Sequence, residues 1–215
     1  MLRLTQVLFF ALMALSPAAV QANLIVSFGT SLSLPVGTDG LLDVYIHSDN
    51  PLGEPLQSLE VTYDISGPGL TFFTDGLGNP DEPQLTDPNY VFVGNTSSNM
   101  GSVNNTHDVY SQLDFTANSS DVNVPSTDVL LATLHLTAGT AGPYTITIDP
   151  ANTVFYAADP LAPAIPYTVP NDGSVAVVTA LSAVPEPTSL SLLSLGVLVL
   201  IIVCRGPTAY LNKSR

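Results

Sequence analysis

Four oxygen-bearing side chains fall within eight residues of one glycine-containing loop: Asp75, Asn79, Asp81 and Glu82 in the stretch DGLGNPDE. Hard divalent cations take roughly six to eight oxygen ligands, and a loop containing Gly76 and Gly78 can fold such groups inward. These four residues are therefore the candidate calcium site. Their spacing does not follow the EF-hand pattern, and an acidic loop that does not close on an ion is simply solvated. His47, His107 and His135 share no ligand spacing and read as surface histidines. A GxSxG elbow and an SxxK motif are both missing, so no activated nucleophile is visible. Carboxylate pairs for glycoside hydrolysis meet only in space. The chain has no Trp to line a sugar cleft, and residues 23–184 carry no Lys or Arg to steady developing charge. These features point to a non-enzyme. Tyr45, Tyr90 and Tyr110 could stack on sugar rings while Asp and Asn take hydroxyls. Tyr45 and Tyr110 are the candidate ligand-binding residues, because alternation puts both on the polar faces of their strands.

Charge narrows the classes further. The formal net charge is -14, and the four basic residues are Arg3, Arg205, Lys213 and Arg215, all at the chain ends. Of the 18 acidic residues only Glu186 lies outside residues 23–184, which leaves 17 within. Such a segment cannot neutralise phosphates, so nucleic acid is excluded as a partner. Ion pairs inside it are limited to those histidine can make. The only cysteine is Cys204, so this segment has neither a disulfide nor thiol chemistry. Its stability must come from apolar burial and hydrogen bonds, and about 160 residues are enough for one core.

The elements that must position these residues are strands. Leu59, Val61, Tyr63 and Ile65 alternate with Glu60, Thr62 and Asp64. The same period of two runs through Leu42–Ile46, Leu130–Leu136 and Tyr144–Ile148. In VYSQLDF, Val109, Leu113 and Phe115 read as the buried face and Tyr110, Gln112 and Asp114 as the wet one. Turn-rich stretches such as PVGTDG, SDNPLGEP and TDGLGNPDEP separate the strands. Asp75–Asn89 and Asn95–Asn105 read as irregular, and the proline-rich Ala158–Pro170 as a poorly paired edge. Asn95, Asn104 and Asn118 begin Asn-x-Ser/Thr sequons within loops rich in those residues. The fold class expected is all-β, a single antiparallel β-sandwich over residues 23–179.

The ends carry addresses. Residues 1–22 combine Arg3, the apolar stretch from Leu4 to Leu15 and the small residues of Val20-Gln21-Ala22, the pattern of a secretory signal peptide. Residues 188–204 form an uncharged apolar run that reaches about 25 Å as a helix, the short end of what crosses a bilayer. Arg205, Lys213 and Arg215 follow it, so residues 205–215 are expected on the cytoplasmic side. Residues 180–187 form a linker containing Pro185-Glu186-Pro187. Prolines keep that tripeptide extended, a shape a protease can grip. The order VPEP, apolar helix, basic tail resembles the PEP-CTERM sorting signal of Gram-negative bacteria. That resemblance implies Pro185, Glu186, Pro187 and Arg205 as the sorting motif and exosortase as the processing partner. It implies export through the Sec pathway, a transient inner-membrane anchor, and a final place at the cell surface or in an exopolysaccharide matrix.

A second resemblance rests on SLEVTYD followed by GLTFF, and on LLATLHLTAGTAGPYTITID. These stretches are similar to the cohesin-like sandwich, which shares its general form with Ig-like jelly-rolls and carbohydrate-binding domains. It implies a binding module rather than a catalyst. Two expectations follow: an exosortase-sorted surface or matrix protein with a structural or adhesive role, or a cohesin-like module for one glycan or protein partner, with calcium as the one cofactor in view.

Overall fold

The computed structural model describes residues 23–117, 120–159, 162–170 and 175–182. The signal peptide, the PEP tripeptide with Arg205, the apolar run and the tail lie outside the described residues. Among the described residues no helix is long and apolar enough to cross a membrane.

The described residues form fourteen strands. The first seven are β1 (Leu24–Phe28), β2 (Leu32–Pro35), β3 (Asp39–Ser48), β4 (Glu54–Leu56), β5 (Ser58–Ile65), β6 (Leu70–Phe72) and β7 (Thr96–Val103). The remainder are β8 (Val109–Thr116), β9 (Val122–Val124), β10 (Val129–Ala138), β11 (Gly142–Ile148), β12 (Val154–Tyr156), β13 (Tyr167–Thr168) and β14 (Val175–Leu181). They build a 5-stranded sheet in the order β13-β1-β3-β10-β6 and a 7-stranded sheet in the order β2-β14-β11-β5-β8-β7, with β12 also on β5. β4 and β9 form a separate 2-stranded sheet.

The period-two reading places most side chains correctly. Leu42, Val44 and Ile46 of β3 and Leu59, Val61, Tyr63 and Ile65 of β5 are buried, and so are Leu134, Leu136, Tyr144 and Ile146. In β10 a bulge between Leu130 and Ala132 turns Leu131 inward as well, so the strand buries consecutive residues where simple alternation expects one face. β11 and β12 lie end to end along one edge of β5. The turn between them is Pro150–Asn152, capped by Asp149, which accepts from the Ala151 amide at 2.9 Å and the Asn152 side chain at 2.6 Å. Across the gap, the Thr62 amide donates to Thr153 Oγ1 at 3.2 Å.

Three expectations need correction. The sandwich is not purely antiparallel: β1 pairs β13 and β14 pairs β2 in parallel, because the chain switches sheets between those strands. The stretch Asn95–Asn105 is not irregular. Most of it is β7, an edge strand on β8 whose Ser, Asn and Gly composition hides it from hydrophobic periodicity. The third correction concerns β8. Its residues Tyr110, Gln112, Asp114 and Thr116 are buried, while Val109, Ser111, Leu113 and Phe115 are partly exposed, so its two faces are the reverse of the expected ones. Register with β5 sets this: Tyr63 faces Tyr110, Val61 faces Gln112 and Leu59 faces Asp114, and directly opposed residues share a face.

Candidate functional site

Polar side chains turned inward need partners, because an unbonded buried polar group costs on the order of 1–3 kcal/mol. The segment 83–95, between β6 and β7, supplies some of them. It begins with a 3-10 turn at Pro83–Thr86 and then runs beside β10, where Leu130 donates to Asn89 O at 3.0 Å and Val91 donates to Leu130 O at 2.9 Å. This lays Tyr90 and Gln84 into the interior. The Tyr90 hydroxyl donates to Asp114 Oδ2 at 2.5 Å, and Gln112 Nε2 donates to Tyr90 at 3.2 Å and to Leu131 O at 3.3 Å. Asp114 Oδ1 also accepts from the Phe115 amide at 2.6 Å. The Thr133 amide reaches Gln84 Oε1 at 3.4 Å. Burial pushes the Asp114 carboxyl up to about 6, against the opposing pull of the Tyr90 bond. The Tyr90 hydroxyl rises well above its ordinary range, through burial first and then the charge of Asp114.

Tyr110 is part of this interior. It is stacked on Tyr63 at 5.8 Å between ring centroids, and its hydroxyl donates to Glu82 Oε1 at 3.1 Å. Burial, then Glu82, raises its hydroxyl pKa. A buried ring cannot stack on a sugar, which corrects the expectation of Tyr110 as a ligand-binding residue. The acidic loop is spread over separate partners. Asp75 accepts from the Leu77 and Asn79 amides, both at 2.8 Å, and from the Asn79 side chain at 3.1 Å. Those bonds hold its carboxyl below the usual range. Asp81 pairs with His135 at 2.9 Å, and Glu82 faces Tyr110. Among the described residues no three His, Cys, Asp or Glu side chains gather as metal ligands do. The histidines are less exposed than expected. His47 pairs with Asp128 at 2.8 Å, and the His135 ring stacks on Phe73 at 4.2 Å. Both ion pairs among the described residues use histidine, as a segment without Lys or Arg requires.

The reversal of β8 has an outward consequence. Leu113 sits opposite Glu60 on β5 and Met100 on β7, and Glu60 in turn faces Val154 on β12. Two register positions along, on the same face, Phe115 lies opposite Ser58, which faces Tyr156. Met100 is 53% exposed and Tyr156 45%. The outer face of the 7-stranded sheet thus carries Met100, Leu113, Phe115, Val154 and Tyr156 around Glu60, an apolar group that includes one carboxylate. Sequence reasoning missed this group, since it placed Leu113 and Phe115 in the core. Tyr45 is on the outer face of the other sheet, half-buried, with its hydroxyl donating to Asp43 Oδ2 at 3.3 Å.

Comparison with solved structures identifies the architecture. The described residues have a cohesin-like fold. One similar structure is the CaDoc0917–CaCohA2 complex at pH 5.5, with TM-score 0.50, 17% identity, and coverage of 74% of this chain and 99% of that one. Another is the Coh-OlpC–Doc435 type I cohesin–dockerin complex from Clostridium thermocellum, with TM-score 0.50, 12% identity, and coverage of 75% and 94%. No protein-family model matches the chain, and no curated protein matches it in sequence.

Proposed function

We propose that this chain is a non-catalytic binding module of an exported protein, and that a protein partner docks on the outer face of the 7-stranded sheet. The observation that carries the reading is the reversal of β8. The strand spends inward positions on Gln112 and Asp114 and turns Leu113 and Phe115 outward beside Met100. Leaving two large apolar side chains partly wet forgoes on the order of 1–2 kcal/mol each, a cost that an interface recovers. Similarity in fold to cohesins solved with dockerins supports a protein partner. With no Lys or Arg on the module and Glu60 inside the apolar group, the partner that fits has an apolar centre and a basic rim.

In this reading the chain is exported through the Sec pathway and held at the inner membrane by residues 188–204. It is then sorted by exosortase through Pro185, Glu186, Pro187 and Arg205 to the cell surface or matrix, where it has an adhesive role beside exopolysaccharide. Met100 makes the docking face testable without knowing the partner. Once residues 1–22 are removed it is the only methionine left. Mild peroxide treatment followed by mass spectrometry should oxidise Met100 several-fold more slowly on intact producing cells than in the purified protein. Equal rates refute the docking face. Repeating the measurement with added calcium and with EDTA tests the Asp75–Glu82 loop, and equal protection is expected because the face needs no cation. Recognition of the sorting tail is tested separately, by fractionating cells carrying Pro185→Ala, which should retain the uncleaved membrane form; unchanged processing would refute it.

A further inference from the structure

On the opposite side of the sandwich, the segment leaving β1 crosses to the other sheet and leaves an open groove of about 490 Å³ beside β3. Tyr45 forms part of its wall, with Asp43 and Asp128 at hand, hydroxyls from Ser27 and Thr30, and the apolar side of Leu41, which is 51% exposed. Three features distinguish it from an ordinary sheet surface. First, Gly29 keeps it open. That glycine does not need a left-handed backbone, yet a Cβ there would stand 3.5 Å from Tyr45 Cε2 and 3.1 Å from Asp43 O. A side chain at position 29 would therefore lie against the tyrosine ring and narrow the groove. Second, the carboxylates are held in place. Asp43 accepts from Thr133 Oγ1 at 2.9 Å as well as from Tyr45, and Asp128 Oδ1 is fixed by His47 at 2.8 Å. Neither oxygen of Asp128 is closed off by a lysine or arginine, since residues 23–184 contain none. Third, every charged group in the lining is acidic.

We propose that this groove is a saccharide site that takes a neutral or amine-bearing sugar residue and rejects acidic ones. An aromatic ring gives the apolar face of a pyranose a platform. Fixed carboxylates accept its hydroxyls in charge-assisted bonds and attract an ammonium substituent where one is present. The same carboxylates repel uronates and sulfated sugars. The site is independent of the protein-docking face, which lies on the other sheet.

The test is a glycan array followed by calorimetry on the purified full-length protein. The probes are cello-, manno- and chito-oligosaccharides, deacetylated chito-oligosaccharides, uronate oligomers and sulfated oligomers. Binding to at least one neutral or amine-bearing series is expected, with none to the acidic series. Tyr45→Ala should weaken binding at least tenfold, and Asp128→Asn several-fold. Asp128 is largely exposed, so its variant keeps the fold even if the tyrosine variant does not. Met100→Ser on the opposite sheet should bind sugar as the parent does. The proposal is overturned by no binding to any neutral or amine-bearing probe at millimolar concentration. It is equally overturned by preference for acidic sugars, by unchanged affinity in both groove variants, or by a cationic peptide occupying the groove where sugars do not.

Discussion

Replacing Asp114 with Asn tests the buried network directly. The carboxyl is fully buried, and its pKa moves from the ordinary 3.8 to about 6 in the folded protein. The folded state therefore binds this proton more tightly than the unfolded chain does. The stability that follows from this is fully present below pH 3.8 and is lost as pH rises to about 6, beyond which it stays flat. At about 1.4 kcal/mol per pH unit, that gap corresponds to about 3 kcal/mol of destabilisation at neutral pH. Asparagine has nearly the same shape, and its oxygen can still accept from Tyr90 or from the Phe115 amide. One of those bonds is weakened, at about 1 kcal/mol. The expected net gain for Asp114→Asn at pH 7 is thus about 2 kcal/mol, shrinking to a small loss at pH 4. Urea denaturation followed by circular dichroism at half-unit pH steps measures it. Comparison with the parent removes the titration of all other carboxylates. Parallel stability curves for the two proteins between pH 4 and 7 would refute the reasoning, because a solvated carboxylate gives no such difference.

Two further outcomes follow from the same physics. Ile46 is fully buried and Leu52 is 84% exposed, so Ile46→Ala should cost about 2–5 kcal/mol by urea denaturation and Leu52→Ala less than about 0.5 kcal/mol. Hydrogen bonds hold Asp75, Asp108 and Asp149 below the usual carboxylate range, so their contributions are present above pH 3.8 and lost as pH falls through their lower folded values. Burial raises Asp114, Asp64 and Glu54, which act in the opposite sense as pH rises. The melting temperature should therefore peak near pH 4, and a maximum at pH 7 to 8 would contradict this balance.

Much of the fold was legible because most strands obey one rule. In β3, β5 and β11 the apolar set is also the inward set, so alternation gives the core directly. β7 was invisible for a compositional reason: a strand on the sheet edge needs little apolar surface, and TSSNMGSV has almost none. β8 was misread for a deeper reason. Its alternation is clean, but alternation fixes only that two faces differ and does not say which faces in. The groove wall was half legible. Tyr45 follows from the pattern of β3, whereas the opposing segment from Ser27 to Leu32 becomes part of a site only through the crossover between sheets.

The choice of face on β8 was made elsewhere in the chain. A slip of one residue against β5 would bring Val109, Leu113 and Phe115 into the core, and by burial alone that register is favoured. It is disfavoured because the slip would turn Gln112 and Asp114 outward, away from Tyr90 and the Leu131 carbonyl, and leave the Tyr90 hydroxyl buried without an acceptor. Segment 83–95 thus acts as the register lock, even though it contributes only a short 3-10 turn to the regular structure. This links the two sides of the sheet energetically. Loosening the polar network inside should weaken the apolar face outside, because both depend on one register. Tyr90→Phe leaves every docking residue untouched yet removes the donor to Asp114, so its effect on Met100 protection separates this coupling from direct contact. Loss of protection in Tyr90→Phe with the fold retained supports a network-held register, and unchanged protection would mean that the backbone ladder between β5 and β8 holds the face unaided.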